Sequence, residues 1–403
     1  MNEQHVTAKD FAILCAILLL ATALRIVGLN SVLWFDEIVT VLSHLRVPWD
    51  QMMLSYEMNH HYLYSFQAKI SSDIFGESAW SVRLPAMVFG VASIAALWWV
   101  AHRIAGAMSA HATALLATLS YHHIWFSQNA RGYTELMFWS LLGLGLFLIG
   151  IRKPTKGIWI AFALTLALAA FTHLTGVFFF ATLGVVWLGW LAIRAIAGDG
   201  VTKPQLLAPL AGFAGGLLLT ALAYSPILPT VISNAMEVNE GSAIDLMKEY
   251  QNPIWTLFET VATLGAQGPL ALLVLSTAIG LALIGSFSLR RHEPLIGFVT
   301  FGHIILTMVV LVFLGMRVWP RFFFVDIGLL LFLIFEGVRA VCYWIGARIP
   351  SLQRVALPIS FAAMVAISIG LAAKNYTAPK QDMAGAIALA QASRAPGEPI
   401  YVL

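Results

Sequence analysis

Apolar runs of roughly 20 residues recur along nearly the whole chain, the length a helix needs to cross the hydrocarbon core of a bilayer. The pattern predicts eleven such helices, over about 11–29, 83–104, 109–126, 133–151, 157–172, 175–196, 206–230, 268–288, 294–315, 321–346 and 355–373. A further helix near 254–266 reads either as interfacial or as part of another span. Lipid offers no hydrogen bonds, so spanning backbone must satisfy itself as helix. Barrel strands would be about 10 residues long and alternating, which this pattern is not.

Between the first two runs lies a connection, 30–82, that is long for a membrane protein. It carries Leu54, Met58, His61 and Tyr62, then Ser65, Phe66 and Lys69, at helical spacing. That predicts amphipathic helix on the membrane surface. A second connection, about 231–253, is acidic and polar. The expected organisation is one transmembrane domain over 1–373 and a short tail, 374–403, either lying on the outer face or beginning a longer soluble region.

Composition agrees with lipid as the main solvent. Of 403 residues, 60% are hydrophobic and 11% charged, whereas soluble domains carry about a quarter charged residues. A net charge of +3 without a basic block gives no footprint for nucleic acid. Cys15 and Cys342 both lie in apolar runs and are expected as free thiols. Residues 11–23 have the look of a signal peptide, but Glu3, Lys9 and Asp10 leave the preceding region without net positive charge. The first helix is therefore expected to be retained.

Lys and Arg set the orientation. One alternating set of loops holds Arg103, Arg152, Lys153, Lys156, Arg194, Lys203, Arg290, Arg291, Arg339, Arg348 and Arg354. The other set is mainly acidic or mixed, with Asp36, Glu37, Asp50, Glu57, Asp73 and Glu77 in its first member. The first set is expected in the cytoplasm, with the amino terminus, in a multi-pass protein of the plasma membrane.

Polar residues from distant parts of the sequence gather at the predicted outer helix ends, as an active site on a helical scaffold requires. Asp36 and Glu37 are adjacent in "VLWFDEIVT". Helical neighbours diverge by about 100°, so one acid would work while the other pairs or is solvated. As an isolated pair they read equally as a charged helix start. In "FSQNARGYTE", Arg131 has no adjacent acid, and its planar fork suits a phosphate as well as it suits lipid headgroups. "MNHHYLYSF" supplies Asn59, His60 and His61, either polar residues of an interfacial helix or, with Asp36, ligands of a divalent metal ion. His173 in "FTHLTG" ends the fifth span, and "RVWPRFFF" puts Arg317 and Arg321 at the outer face as headgroup anchors or phosphate contacts.

Read together, "FDE", "NHH" followed by "LYS", "FGESAWSVRLPAMVFG", "FSQNARGY", "FTHLTG" and "WPRFFF" resemble the GT-C fold glycosyltransferases. The closest group is the dolichyl-phosphate-mannose protein mannosyltransferase-like family, which includes lipid A aminoarabinose transferases and lipopolysaccharide-core glycosyltransferases. The likeness covers most of residues 10–340. Two departures stand out. Relatives often carry one or two prolines after the histidine of the "NH" segment, where His61 and Tyr62 stand here, and their C-terminal outer region is often longer.

The resemblance implies an all-α polytopic transferase that takes a sugar from a polyprenyl-phosphate donor at the outer membrane face. It implies Asp36 as the catalytic acid residue, with Glu37 as the second acid of the motif, and Arg83 and Arg131 near the donor phosphate. Tyr133 and Arg321 are expected beside that phosphate, and Asn59, His60, His61 and His173 at the sugar or acceptor. The acceptor is a glycan, a lipid or a protein, and a divalent metal held by Asp36 and His60 stays open. The chemistry agrees. A lipid phosphate leaves readily once its charge is held, so the site needs a base for the acceptor hydroxyl and cations for the phosphate. The competing expectations are a lipid-linked sugar flippase, which needs polar groups near the bilayer midplane, and a non-catalytic membrane scaffold.

Overall fold

The computed structural model describes residues 5–55, 57, 60–230, 248–262, 268–377 and 380–395. Among them the regular elements are all helical. In chain order they are α1 (Ala8–Ile26), α2 (Phe35–Thr40) running into a π-helical turn (Val41–Leu45), α3 (Trp49–Leu54), α4 (Tyr62–Phe75), α5 (Ala79–Ala105), α6 (Ala107–Thr118) and α7 (Tyr121–Ser127). Then follow α8 (Tyr133–Gly150), α9 (Lys156–Thr172), α10 (Gly176–Ile196), α11 (Lys203–Tyr224), α12 (Pro253–Ala262), α13 (Gly268–Leu289), α14 (Leu295–Phe313), α15 (Phe324–Arg348), α16 (Ala356–Thr377) and α17 (Met383–Ser393).

Among the described residues seven helices, α5, α8, α10, α11, α13, α14 and α16, are long and apolar enough to cross a membrane. The four other predicted spans correspond to α1, the pair α6 and α7, α9 and α15. α9 has only 17 residues. α1 buries Arg25, and α15 buries Asp326 and Glu336. The predicted span 109–126 is broken, because Ser120 caps a new helix by accepting from the His123 amide.

The long connection 30–82 departs from expectation. No single helix joins Leu54 to Lys69: α3 ends at Leu54 and α4 begins at Tyr62. Nor does α4 simply float on lipid. Its Tyr62, Tyr64, Ser65, Ala68 and Lys69 are buried as it packs on α5 and α9. Lys69 spends its charge on two carbonyls, Leu45 O at 2.6 Å and Val47 O at 2.8 Å, which ties α4 to the π-helical turn. Pro85 lies inside α5, six residues past its start. A proline lacks the N–H that would bond the carbonyl four residues earlier. That carbonyl, Ser81 O, accepts instead from Ser71 Oγ of α4 at 2.7 Å.

The core runs through α5, α8, α9, α10 and α15, with Phe147, Phe162, Phe179, Phe180, Phe332 and Leu333 buried. α13 and α15 touch backbone to backbone. A Cβ on Gly285 would fall 1.9 Å from Leu333 O, and one on Gly337 would fall 2.0 Å from Leu281 O, the small-residue packing that lets membrane helices close up. At the end of the bundle away from α2, Arg152 bridges to Glu293 at 2.7 Å and joins two of the arginine-bearing loops.

Candidate active site

The segment 34–37 organises one end of the bundle. Glu37 lies in the first turn of α2 and is fully buried. Its Oε2 accepts from the Trp34 amide at 3.1 Å and its Oε1 from the Ala130 amide at 2.6 Å. Arg83 of α5 grips the same carboxylate from two nitrogens, at 2.7 and 2.6 Å. Its other donors reach Leu29 O, Ser31 O, Ser31 Oγ and Val32 O between 2.8 and 3.1 Å. Arg83 thus has every donor group engaged within the chain. Glu37 and Arg83 lock α2, α5 and the loop at 128–131 together.

Asp36 faces the other way. Its Oδ2 accepts from Arg321 Nη1 at 2.9 Å and lies 3.9 Å from Arg131 Nη2. The Asp36 side chain is 15% exposed and that of Arg321 25%, so the pair sits at an opening, whereas Arg131 is buried. Arg131 also donates to Thr40 Oγ1 at 3.3 Å. The Arg321 guanidinium lies 4.6 Å over the Trp319 ring, and the Tyr250 ring lies tilted against Trp319 at 4.2 Å between centroids. Arg321 Nε is buried and has no hydrogen-bond partner among the described residues.

Four histidines back these arginines. His44 and His60 stack at 3.7 Å, and His61 lies 4.6 Å from His173 and 4.8 Å from Tyr133. Gly132 makes room, since a Cβ there would meet His61 Nδ1 at 3.2 Å and the Thr172 methyl at 2.7 Å. Burial, followed by the charge of Arg131, holds His44 down to about 4. Burial also holds His60 and His173 down to about 3, with His44 and Arg131 adding to it at His60, and Arg131 and Arg321 at His173. His61 is pushed well below the ordinary imidazole value by burial and then by Arg131. All four rings are neutral near pH 7. The nitrogens of His60 and His61 and Nδ1 of His44 have no hydrogen-bond partner among the described residues.

The structure thus brings Asp36, Arg131, Arg321, Tyr133, His60, His61 and His173 to one place. Glu37 and Arg83 stand behind them, and Asn59 lies outside the described residues. Sequence reasoning missed Thr40 and His44. Both carried a signal, because they follow Asp36 at four-residue steps and so share its helical face. It also missed the tail: Gln381 Oε1 accepts from the Phe35 amide at 2.9 Å, and Lys380 donates to Gln128 O and lies 5.0 Å over Trp125. Among the described residues no three His, Cys, Asp or Glu side chains group so as to hold an ion, and Asp36 is already engaged by a guanidinium.

Comparison with known proteins agrees with the motif resemblance. Residues 59–221, from just before α4 through most of α11, match the dolichyl-phosphate-mannose-protein mannosyltransferase family. The whole chain superposes on ArnT from Cupriavidus metallidurans bound to undecaprenyl phosphate, with TM-score 0.52 and 14% identity over 98% of this chain and 83% of that one. It also superposes on the archaeal oligosaccharyltransferase AglB from Archaeoglobus fulgidus, in complex with an inhibitory peptide and a dolichol-phosphate, with TM-score 0.52 and 12% identity over 96% of this chain and 58% of that one. The same Archaeoglobus fulgidus oligosaccharyltransferase in complex with Zn and sulfate gives TM-score 0.52 and 15% identity over 94% of this chain and 55% of that one. The chain thus spans somewhat over half the length of the archaeal enzyme. No curated protein matches the sequence.

Proposed function

We propose that this chain, which has the fold of the GT-C membrane glycosyltransferases, moves a sugar from a polyprenyl-phosphate donor to an acceptor hydroxyl at the outer face of the plasma membrane. The observation that carries the proposal is the cluster of Asp36, Arg321 and Arg131. One carboxylate and two guanidinia meet at an opening near one end of a helical bundle, drawn from segments nearly 300 residues apart (285 between Asp36 and Arg321). The matched family and the polyprenyl phosphates named with the two structural neighbours support a lipid-linked donor.

The reaction is a single displacement with inversion. The acceptor oxygen attacks the anomeric carbon as its proton passes to Asp36. The bond from that carbon to the phosphate oxygen breaks, and polyprenyl phosphate leaves with its charge on Arg131 and Arg321. Arg321 has a second duty. At rest it occupies the Asp36 carboxylate, and an arriving phosphodiester competes for the guanidinium and frees the base. Its unused Nε supplies the second bond of a paired contact. Tyr133 stands beside the phosphate, and His60, His61 and His173 serve the sugar and the acceptor.

The test is release of polyprenyl phosphate by the purified protein from a panel of polyprenyl-phosphate sugars, in parallel with Asp36→Asn. Turnover that disappears in the variant supports the assignment, and equal turnover in both removes Asp36 from the chemistry. Orientation is tested by labelling Asp382→Cys and Thr155→Cys with an impermeant reagent in intact cells. Reaction at Thr155→Cys alone would invert the topology.

A further inference from the structure

We infer that His303 and Asp326 are positioning residues for Arg321. Together they fix the rotation of the first turn of α15, and through it the setting of Arg321 on Asp36 and on an arriving phosphate. The inference rests on the reading of this site as that of a polyprenyl-phosphate-dependent transferase.

Arg321 does not hang on a loose loop. It sits in a 3₁₀ turn, Pro320–Phe323, whose C-cap is Phe324, the first residue of α15. Helical backbone runs without a break from Arg321 to Asp326, so a rotation of the first turn of α15 carries Arg321 with it. The guanidinium rests over Trp319, the N-cap of the same 3₁₀ turn, and moves as part of that unit. A rotation of about 20° moves an atom on the helix surface, about 5 Å from the axis, by roughly 2 Å. That is more than the bond from Arg321 to Asp36 tolerates.

The polar pair is what sets this rotation. Asp326 is fully buried, and His303 of α14 is nearly so. His303 Nδ1 lies 3.0 and 2.9 Å from the two carboxylate oxygens of Asp326. An ionised carboxylate only accepts, so the ring donates to this fork, and the bond has a direction. The ring contacts of the same stretch, Phe322 with His173 at 5.9 Å and Phe324 with Phe126 at 4.5 Å, bury area without fixing an angle. At the same level α15 meets α8 and α5 through Gly328. A Cβ there would fall 2.5 Å from Met137 Cε and 3.1 Å from Leu97 Cδ2. A glycine gives a close but smooth seat, which sets distance and leaves rotation free. Any other rotation of α15 would strand a buried carboxylate away from its donor, the costly arrangement in an apolar interior.

The experiment compares variants of the full-length protein in nanodiscs with and without Arg321. His303→Phe combined with Asp326→Leu replaces the pair by apolar side chains of similar bulk. No charge is stranded, so the unfolding midpoint should stay near that of the wild type. Binding is read by competition with labelled polyprenyl phosphate. KM and kcat are read from its release from the polyprenyl-phosphate sugar that the wild type turns over. The paired variant should bind polyprenyl phosphate about tenfold more weakly, raise KM and lower kcat. In an Arg321→Ala background the same two changes should cost nothing further. His303→Asn, whose amide donates from the place of Nδ1, should recover most of the loss. A merely structural defect would shrink the active fraction and leave Kd and KM unmoved. An equal loss in both backgrounds, or none in either, overturns the inference and leaves the transferase reading intact. Should the paired variant fold poorly, His303→Asn is set against His303→Gln, whose amide stands at the place of Nε2. Weaker binding by His303→Gln alone, and only with Arg321 present, supports the inference, and equal binding by the two overturns it. Failure of the wild type to bind polyprenyl phosphate overturns the transferase reading and the inference with it.

Discussion

Arg321 donates to Asp36 across 2.9 Å although 285 residues separate them, so the late "WPRFFF" segment and the connection between α1 and α5 form one unit. Removing either partner is expected to act on chemistry and not on folding, because both side chains are partly exposed. Asp36→Asn should lower transfer by about 10²–10⁴ with an unchanged thermal unfolding midpoint in detergent. Arg321→Ala should weaken donor binding as well as turnover, which separates KM from kcat effects. A collapse of the midpoint in Asp36→Asn would mean that the carboxylate holds the fold together.

Glu37 and Arg83 predict the opposite phenotype. Breaking a buried ion pair by deleting one partner strands a charge, at roughly 3–5 kcal/mol. Glu37→Gln and Arg83→Met should each lower the unfolding midpoint strongly, and any activity they lose should follow the loss of folded protein. A fully folded, inactive Arg83→Met would restore this arginine to the phosphate.

The helical scaffold was legible because hydrophobic run length is a direct image of bilayer thickness. Asp36 and Arg131 were legible because adjacent acids and an unaccompanied arginine stand out in an apolar chain. The division of labour between Asp36 and Glu37 was half legible: helical geometry forbids both from facing one group, but which one turns inward depends on Arg83, 46 residues on. The partners of Arg83 were not legible for the same reason, since local sequence does not show that the carbonyls of Leu29, Ser31 and Val32 take its donors. The break at Ser120 was missed because hydropathy averages over a cap. Lys380 and Gln381 carried no local signal at all.

Acid should destabilise the protein through its neutral histidines. A ring whose folded pKa is lowered contributes stability that is fully present above the ordinary value and is lost as pH falls toward the folded one. For His44 that window ends at about 4, and for His60 and His173 at about 3. Each should contribute on the order of 3–5 kcal/mol. The unfolding midpoint should therefore fall steadily below the ordinary imidazole pKa. His60→Gln and His173→Gln should flatten the slope there, and a midpoint indifferent to pH across the window would show that the rings are charged or exposed.

The packing of α13 on α15 predicts a purely structural failure. A side chain at Gly285 or Gly337 must displace the facing backbone, not a flexible neighbour, so Gly285→Leu and Gly337→Leu should lower the unfolding midpoint and the folded yield. Overpacking costs typically about 1–3 kcal/mol, and the absence of a movable partner favours the upper end.

Gln381 tests whether the tail serves the site. Its side chain accepts from the Phe35 amide at the first residue of α2, one residue before Asp36, and no Ser, Thr, Asp or Asn in the adjacent sequence caps that helix start. Losing such a cap costs about 1 kcal/mol, so Gln381→Ala should populate a frayed α2 and lower transfer several-fold. Donor binding, which rests on Arg131 and Arg321, should hold. Gln381→Glu keeps an acceptor at the helix N-terminus, where the dipole favours an anion, and should restore the rate. A chain ending after Thr377 should behave like Gln381→Ala or worse. If all three variants matched the wild type in turnover, the tail would be a bystander and α2 would hold its place through Glu37 alone.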